Sequence, residues 1–204
     1  MRLLRPVLAL GLATALLSGC AGTSAPQQSS TAQGSPATAE SSSPQAQAFL
    51  ARHGLAGKST TDVIDTLDRM PVRERPGDLR ASVRPDVLLL SGEGIEVPLP
   101  VPADRFYLSV APYVDTTHDC FNHALTSCKG ELGNTQVQVE LVEEGTGTVL
   151  ATGPHTLYDN GFVGLWLPRD LTGTLTVEHD GKSSTVPIAT GDDDLTCLTT
   201  ARLT

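Results

Sequence analysis

Hydrophobic positions recur at two different spacings along the chain, which separates a helical part from a β-rich part. The helical spacing covers Gln45 to His53 and Thr61 to Arg69. A glycine ends the first run and a proline ends the second. In the second run Val63, Ile64 and Leu67 share one face. The spacing therefore predicts two short helices that form a small hairpin.

The apolar stripe on the second helix must be covered by another surface. Two surfaces could cover it: the β-rich part of the same chain, or the same stripe on a second copy of the chain. The stripe does not distinguish between them.

Beyond Arg80 the pattern changes to short runs rich in β-forming residues. The runs are Ala81–Val83, Val87–Leu90, Ile95–Val101, Phe106–Val110, Gln136–Val142, Val149–Leu157, Phe162–Leu167, Gly173–Glu178 and Ser184–Ile188. Four turn sequences between them favour tight hairpins: Ser91–Gly94, Glu144–Gly147, Asp159–Gly161 and Asp180–Gly181. We therefore expect an α+β fold, a helical hairpin followed by a mainly antiparallel β domain, as a sandwich or a barrel.

The N-terminus has the pattern of an export signal. Arg2 and Arg5 precede an apolar run from Val7 to Leu17, and Leu17-Ser18-Gly19 leads to Cys20. The run is too short for a membrane-spanning helix. Residues 1–19 are therefore interpreted as a lipoprotein signal peptide with Cys20 as the lipidated residue. The alternative is an ordinary secretory signal with an incidental cysteine.

The remaining organisation follows from composition. Residues 20–43 consist almost entirely of small and polar residues and proline, which predicts a disordered tether. Residues 44–80 form the helical region and residues 81–204 the β-rich domain.

The chain is acidic, with a net charge of −9 that becomes more negative once Arg2 and Arg5 are removed. Such a surface repels nucleic acid and anionic headgroups. The acyl chains on Cys20 would therefore hold the protein at the membrane.

One segment concentrates groups that bind metals. Cys120 and Cys128 lie with His118 and His123 on a long connection between predicted strands, and Cys197 comes from the C-terminal segment. Without Cys20 three cysteines remain, so they cannot all pair within one chain. An odd count favours metal or redox use. The alternative is a structural Cys120–Cys128 disulfide, worth roughly 2.5 kcal/mol for so short a loop, beside a buried Cys197.

Several thiolates beside imidazoles suit Cu(I), and the paired spacings of zinc sites are absent. Copper is therefore the predicted metal and zinc the second candidate. Two thiols that form a disulfide also release two electrons, enough to reduce two Cu(II) ions. Cys120 and Cys128 are the redox pair that sequence proximity favours.

Other motifs in the sequence give weaker indications of function. His53, His155 and His179 fall at a helix end or in strand and turn context, and are interpreted as structural or solvated. The acidic run Asp192–Asp194 lacks the alternating ligands of a calcium loop. No nucleophile elbow, phosphate loop or dinucleotide motif supports a hydrolase or nucleotide enzyme.

Three stretches resemble the CueP family of periplasmic copper-binding proteins. They are Phe106 to Val114 with Thr117 to Cys128, Tyr158 to Pro168, and Thr196 to Thr200. The resemblance implies copper resistance and homeostasis, with Cu(II) reduction and copper supply to exported copper enzymes as roles. It implies three cysteine ligands, which correspond to Cys120, Cys128 and Cys197. His118 and His123 match the surrounding motif.

The resemblance also suggests dimerisation through the N-terminal helices. Three functions remain as hypotheses: a copper carrier, a thiol-based metal reductase, and a structural or zinc-binding lipoprotein with a Cys120–Cys128 disulfide.

Overall fold

A computed structural model describes residues 42–204; the predicted signal peptide, Cys20 and nearly all of the tether lie outside the described residues. The helices are α1 Pro44–Arg52 and α2 Thr60–Asp68, with a short 3-10 turn at Val72–Glu74. The strands are β1 Arg80–Val83, β2 Val87–Gly92, β3 Ile95–Pro100, β4 Arg105–Val110, β5 His123–Ala124, β6 Gln136–Glu143, β7 Val149–Thr156, β8 Val163–Pro168, β9 Thr172–His179, β10 Lys182–Ala189 and β11 Cys197–Leu198. Neither helix is long and apolar enough to span a bilayer.

Serine caps determine where both helices begin. The hydroxyl of Ser43 accepts a hydrogen bond from the N–H of Ala46, and Ser59 accepts one from Asp62. Each cap satisfies a donor that would otherwise have no partner in the first turn. The helices therefore start one residue earlier than the hydrophobic spacing predicted.

The apolar stripe on α2 is covered by the chain itself. Val63, Ile64 and Leu67 are buried in one core with Phe49 of α1 and with apolar side chains of β1, β2 and β3. The first of the two predicted covers is thus the observed one. Dimerisation through the N-terminal helices stays a prediction, and these three side chains would not contribute to it because they are buried within the chain.

The strands form three sheets, with the orders β3-β2-β1-β5, β10-β9-β6-β7 and β11-β4-β8. All strand pairs are antiparallel except β11 with β4. The predicted α+β, mainly antiparallel class is confirmed. The division into three sheets was not visible in the hydrophobic pattern.

Strand β4 is buried on both faces and joins the two main cores. Phe106, Leu108 and Val110 lie in the core with the β6 to β10 strands, whereas Tyr107 belongs to the helix-side core. Successive side chains of a strand point to opposite faces, so the sheet of β4 is a shared layer. Ser109 shares the face of Tyr107 and hydrogen-bonds Asp68, which ends α2.

One of the four predicted hairpin turns is wrong. Asp159–Gly161 connects β7 and β8, which belong to different sheets. Its Asn160 is buried and donates a hydrogen bond to the Asp68 carboxylate. This turn is held by a contact with α2, so it does not close a ladder between its own flanking strands.

Candidate metal centre

Two very short strands bring distant parts of the sequence together at one end of the β4 sheet. His123 on β5 pairs with Val83 of β1, and Cys197 on β11 pairs with Ser109 of β4. The side chains of His123 and Cys197 are completely buried. The loop that carries Cys120 and Cys128 passes over them, so all five sequence-predicted candidates lie in one region.

Thr196 fixes the junction of these short strands. Its hydroxyl donates to the carbonyl of Val83 and accepts from the N–H of His123. The N–H groups of Thr196 and Cys197 both donate to the carbonyl of Phe121. These bonds set the separation between β1, β5 and β11, and so the position of the two buried candidate ligands.

The structure forms a different disulfide from the one considered above. Cys120 is bonded to Cys197, with the two Cα atoms 5.5 Å apart, and Cys128 is the free thiol. The Cys120–Cys128 disulfide of the structural alternative is therefore wrong. Proximity in sequence misled because β11 places Cys197 under Cys120 across 77 residues of chain.

Cys128 lies next to the disulfide. Its Sγ is 3.6 Å from Sγ of Cys120 and 3.4 Å from the N–H nitrogen of Ala124. Burial raises the pKa of this thiol, but the hydrogen bond and positive charge of His123, with the N–H of Ala124, outweigh burial and lower the pKa from 9.0 to about 7. Cys128 is thus substantially a thiolate near neutral pH, the form that binds metals and attacks disulfides.

The candidate ligands form two overlapping groups. One contains His118, Cys120 and Cys128, and the other contains His123, Cys128 and Cys197. Within each group the ligand atoms lie within 4.8 Å of one another. The first group is reached by solvent and the second lies deeper, with Cys128 shared by both.

His123 is oriented by a buried carboxylate. Its Nε2 is 2.9 Å from Oδ1 of Asp68, and its Nδ1 is 3.6 Å from Sγ of Cys197. Burial opposes a charge on the ring, but Asp68 and the Cys128 thiol raise the pKa of His123 to about 9. The ring also packs against Phe162, with the centroids 4.5 Å apart.

Asp68 and Arg75 are functional candidates that the sequence reasoning missed. Arg75 donates to the carbonyls of Cys128 and Asp68, and so joins the cysteine loop to the end of α2. Asp68 follows directly after Leu67 and lies four residues after Ile64, on the buried face of the helix. An acidic residue on the apolar face of a predicted helix was the signal that could have identified it.

The cysteine loop is held on its other side by two glycines. The N–H of Gly130 donates to the carbonyl of Asn160, at 2.6 Å. A Cβ atom at Gly130 would lie only 2.8 Å from the carbonyl oxygen of Gly161. Only a residue without a side chain permits this approach of the two backbones.

The histidines set aside in the sequence belong to neither of these groups. His53 directly follows α1 and packs on Phe49 of that helix, and His179 hydrogen-bonds the carbonyl of Gln136. His155 lies on β7. None of the three belongs to a Cys/His cluster among the described residues.

Comparison with known proteins identifies the family of this chain. Residues 62–202 match the family model described as periplasmic copper-binding protein CueP. The chain belongs to the CueP family. A crystal structure of S.CueP is similar at 43% sequence identity, covering 79% of this chain and 98% of that chain, with a TM-score of 0.74. No curated protein matched significantly.

As a member of the CueP family the chain is a copper-binding protein of a periplasmic type. The donor set fits copper, since sulfur and imidazole nitrogen are the ligands that Cu(I) prefers at low coordination number. In the disulfide form, Cys120 and Cys197 are bonded to each other and only Cys128 can offer a thiolate. Each ligand group then lacks one sulfur donor, so both candidate groups can offer their full set of donors only when the disulfide is reduced.

Proposed function

We propose that this protein holds Cu(I) outside the cytoplasm through the thiolates of Cys120, Cys128 and Cys197, with His123 and His118 as additional ligands. It reduces Cu(II) to Cu(I) and passes copper to exported copper enzymes, while lipidated Cys20 keeps it at the membrane. The observation that carries the copper site is the position of the Cys128 Sγ, which belongs to both ligand groups.

The two groups suggest a path for the ion within the site. The group with His118 and Cys120 is accessible to solvent, so it receives copper first. Moving the ion to the deeper group exchanges these two ligands for His123 and Cys197 and keeps Cys128 bound throughout. Two-coordinate or three-coordinate Cu(I) tolerates such stepwise exchange because it needs few ligands at a time.

Reduction is assigned to the pair that the structure shows bonded. When the thiols of Cys120 and Cys197 form a disulfide, they lose two protons and two electrons, and two Cu(II) ions become two Cu(I) ions. This revises the redox pair favoured by sequence proximity. Cys128 takes no part in the bond and keeps a thiolate available for the Cu(I) produced.

Anaerobic titration of the reduced protein with Cu(I) against a competing chelator tests the binding site. We expect Cys128→Ser to lose more affinity than Cys120→Ser or Cys197→Ser, because Cys128 serves both groups. Cys20→Ser is the matched control and should leave stoichiometry and affinity unchanged. Retention of Cu(I) by Cys128→Ser with wild-type affinity contradicts the site, and tighter binding of Zn(II) than of Cu(I) favours the zinc alternative.

Counting thiols after adding Cu(II) without oxygen tests the reduction. The wild-type protein should lose two free thiols for every two Cu(I) ions formed, and mass spectrometry should find the disulfide between Cys120 and Cys197. Cys197→Ser should not form this bond and should reduce far less Cu(II). A disulfide that links Cys120 with Cys128 in the wild type would overturn the assignment.

A further inference from the structure

The buried carboxylate of Asp68 lies on the far side of His123 from the thiols. We propose that Asp68, at the end of α2, is a positioning residue that fixes the imidazole of His123 so that its Nδ1 binds Cu(I). This inference rests on the proposed copper function. The Asp68 carboxylate hydrogen-bonds Tyr107, Ser109, His123 and Asn160, and none of these partners is a cysteine.

The geometry at the ring leads to the assignment. Asp68 Oδ1 is 2.9 Å from Nε2 of His123, so this nitrogen carries a proton and donates it to the carboxylate. The opposite nitrogen, Nδ1, faces the sulfur of Cys197 at 3.6 Å, so it is the nitrogen that releases its proton and offers its lone pair when Cu(I) binds. Histidine ligands are commonly held this way, by a carboxylate on the nitrogen that does not bind the metal.

Asp68 is fixed well enough to impose an orientation. The hydroxyl of Tyr107 donates to its Oδ2 at 2.7 Å, and the amide of Asn160 donates to its Oδ1 at 2.8 Å. Ser109 adds a longer hydrogen bond to Oδ2. These donors come from β4 and from the turn before β8, so the carboxylate is anchored by parts of the molecule outside its own helix.

The backbone of Asp68 is tied to the same region. Its carbonyl accepts from the guanidinium of Arg75, which also donates to the carbonyl of Cys128. The side chains of Asp68 and Arg75 are 0% and 3% exposed, so water does not compete for these bonds. Asp68 therefore links the helical region to an imidazole through its carboxylate and, through its carbonyl and Arg75, to the loop of the shared thiol.

A purely structural role predicts a different outcome from a positioning role. If Asp68 only stabilises the junction between sheets, its loss weakens copper binding whether or not His123 is present. If Asp68 acts through the imidazole, its loss has no further effect once the ring has been removed. A double-mutant cycle with His123 separates these cases.

The experiment uses the full reduced chain and Cu(I) with a competing chelator. We expect Asp68→Asn and Asp68→Ala to bind Cu(I) roughly 10- to 100-fold more weakly than the wild type. The matched control is Asp65→Asn, one turn earlier on the same helix, where Asp65 accepts a hydrogen bond from the indole N–H of Trp166 and contacts no candidate ligand. Its affinity should stay within about twofold of the wild-type value, the spread expected for a site distant from the metal.

In the His123→Ala background, Asp68→Asn should change the affinity by less than about twofold, as expected when one residue acts through the other. Nitrogen NMR of the Cu(I)-loaded wild type should show a proton on Nε2 and the metal on Nδ1 of His123. The asparagine variant should show a weakened or mixed pattern. Circular dichroism and the urea midpoint verify folding, and Asp68→Asn, which keeps the shape, serves if Asp68→Ala does not fold.

Two results overturn the inference: Asp68→Asn that binds as tightly as Asp65→Asn, or equal losses from Asp68→Asn with and without His123. Failure of the proposed function is distinguishable, because then the wild type and Asp65→Asn themselves retain no Cu(I).

Discussion

At the scale of single residues, the three cysteines of the site differ because of their surroundings. Cys197 is completely buried and bonded to Cys120, whereas Cys128 is half-buried and lies beside the ring of His123. The sequence identified all three as one group. It does not reveal which two of the cysteines approach within bonding distance. That depends on where β11 places Cys197.

The environment of Cys128 leads to a pH-dependent prediction. In the disulfide form with Cys20→Ser, Cys128 is the one free thiol, and its alkylation rate by iodoacetamide should rise with a midpoint near its pKa of about 7. The His123→Ala variant should move this midpoint upward, because removing the imidazole removes the largest influence that lowers the pKa. A rise of about one pKa unit would lower the thiolate fraction at pH 7 from about one half to about one tenth, so the alkylation rate there should fall roughly fivefold.

His118→Ala provides the comparison for this measurement. Its hydrogen bond is the smallest of the influences that lower the pKa of Cys128, so its midpoint should move less than that of His123→Ala. Equal midpoints in the wild type and in His123→Ala would contradict the environment described here.

At the scale of elements, two strands of two residues each position the site. Neither β5 nor β11 has a hydrophobic alternation that a sequence pattern could reveal, because two residues are too few to show a period. They form because their neighbours, β1 and β4, offer edges beside them. The loop that follows β5 is kept in place by the close approach of Gly130 to Gly161.

This approach gives a prediction for Gly130→Ala. The added methyl group would meet the carbonyl of Gly161, so one backbone must move and the Cys128 loop with it. We expect the free energy of unfolding in urea to fall by about 1–3 kcal/mol, together with weaker Cu(I) binding. Gly77→Ala is the control, since a Cβ there meets nothing within 4 Å. Its stability should change by less than about 0.5 kcal/mol; a similar loss in both variants would show that the approach of Gly130 to Gly161 has no special role.

At the scale of the whole molecule, the helices and the β strands act as one unit. The stripe on α2 is buried against β1, β2 and β3, and Asp68 at its end reaches the candidate metal centre. A shortened chain that begins after α2 would therefore lose both this core packing and the carboxylate that contacts His123. The acidic charge of the chain disfavours electrostatic binding to anionic headgroups, so the predicted means of membrane attachment is a lipid at Cys20.

Lipid attachment is tested by fractionating cells that express the full chain. The wild type should sediment with membranes and release into detergent, and Cys20→Ser should appear in the soluble extracytoplasmic fraction. Cys128→Ser, a substitution of the same type within the metal centre, should stay with the membranes. A wild-type protein found in the soluble fraction would contradict lipid attachment and would indicate an ordinary secretory signal.

The sequence by itself determined the α+β class, the limits of the helices to within one residue, and the identity of the Cys/His cluster. These three features depend on the spacing of nearby residues and on the chemistry of their side chains, and both can be seen directly in the sequence. The long strands β6 and β9 were likewise predictable, since apolar and polar residues alternate along them.

Only the tertiary structure decided the Cys120–Cys197 disulfide, the cover over the α2 stripe and the contacts of Asp68. Each depends on which segments meet across many intervening residues, and this follows from how the three sheets pack. A buried acid on an apolar helix face is costly until its partners are known. Here the partners of Asp68 come from β4, β5 and the turn at Asn160, and no local pattern around Asp68 names them.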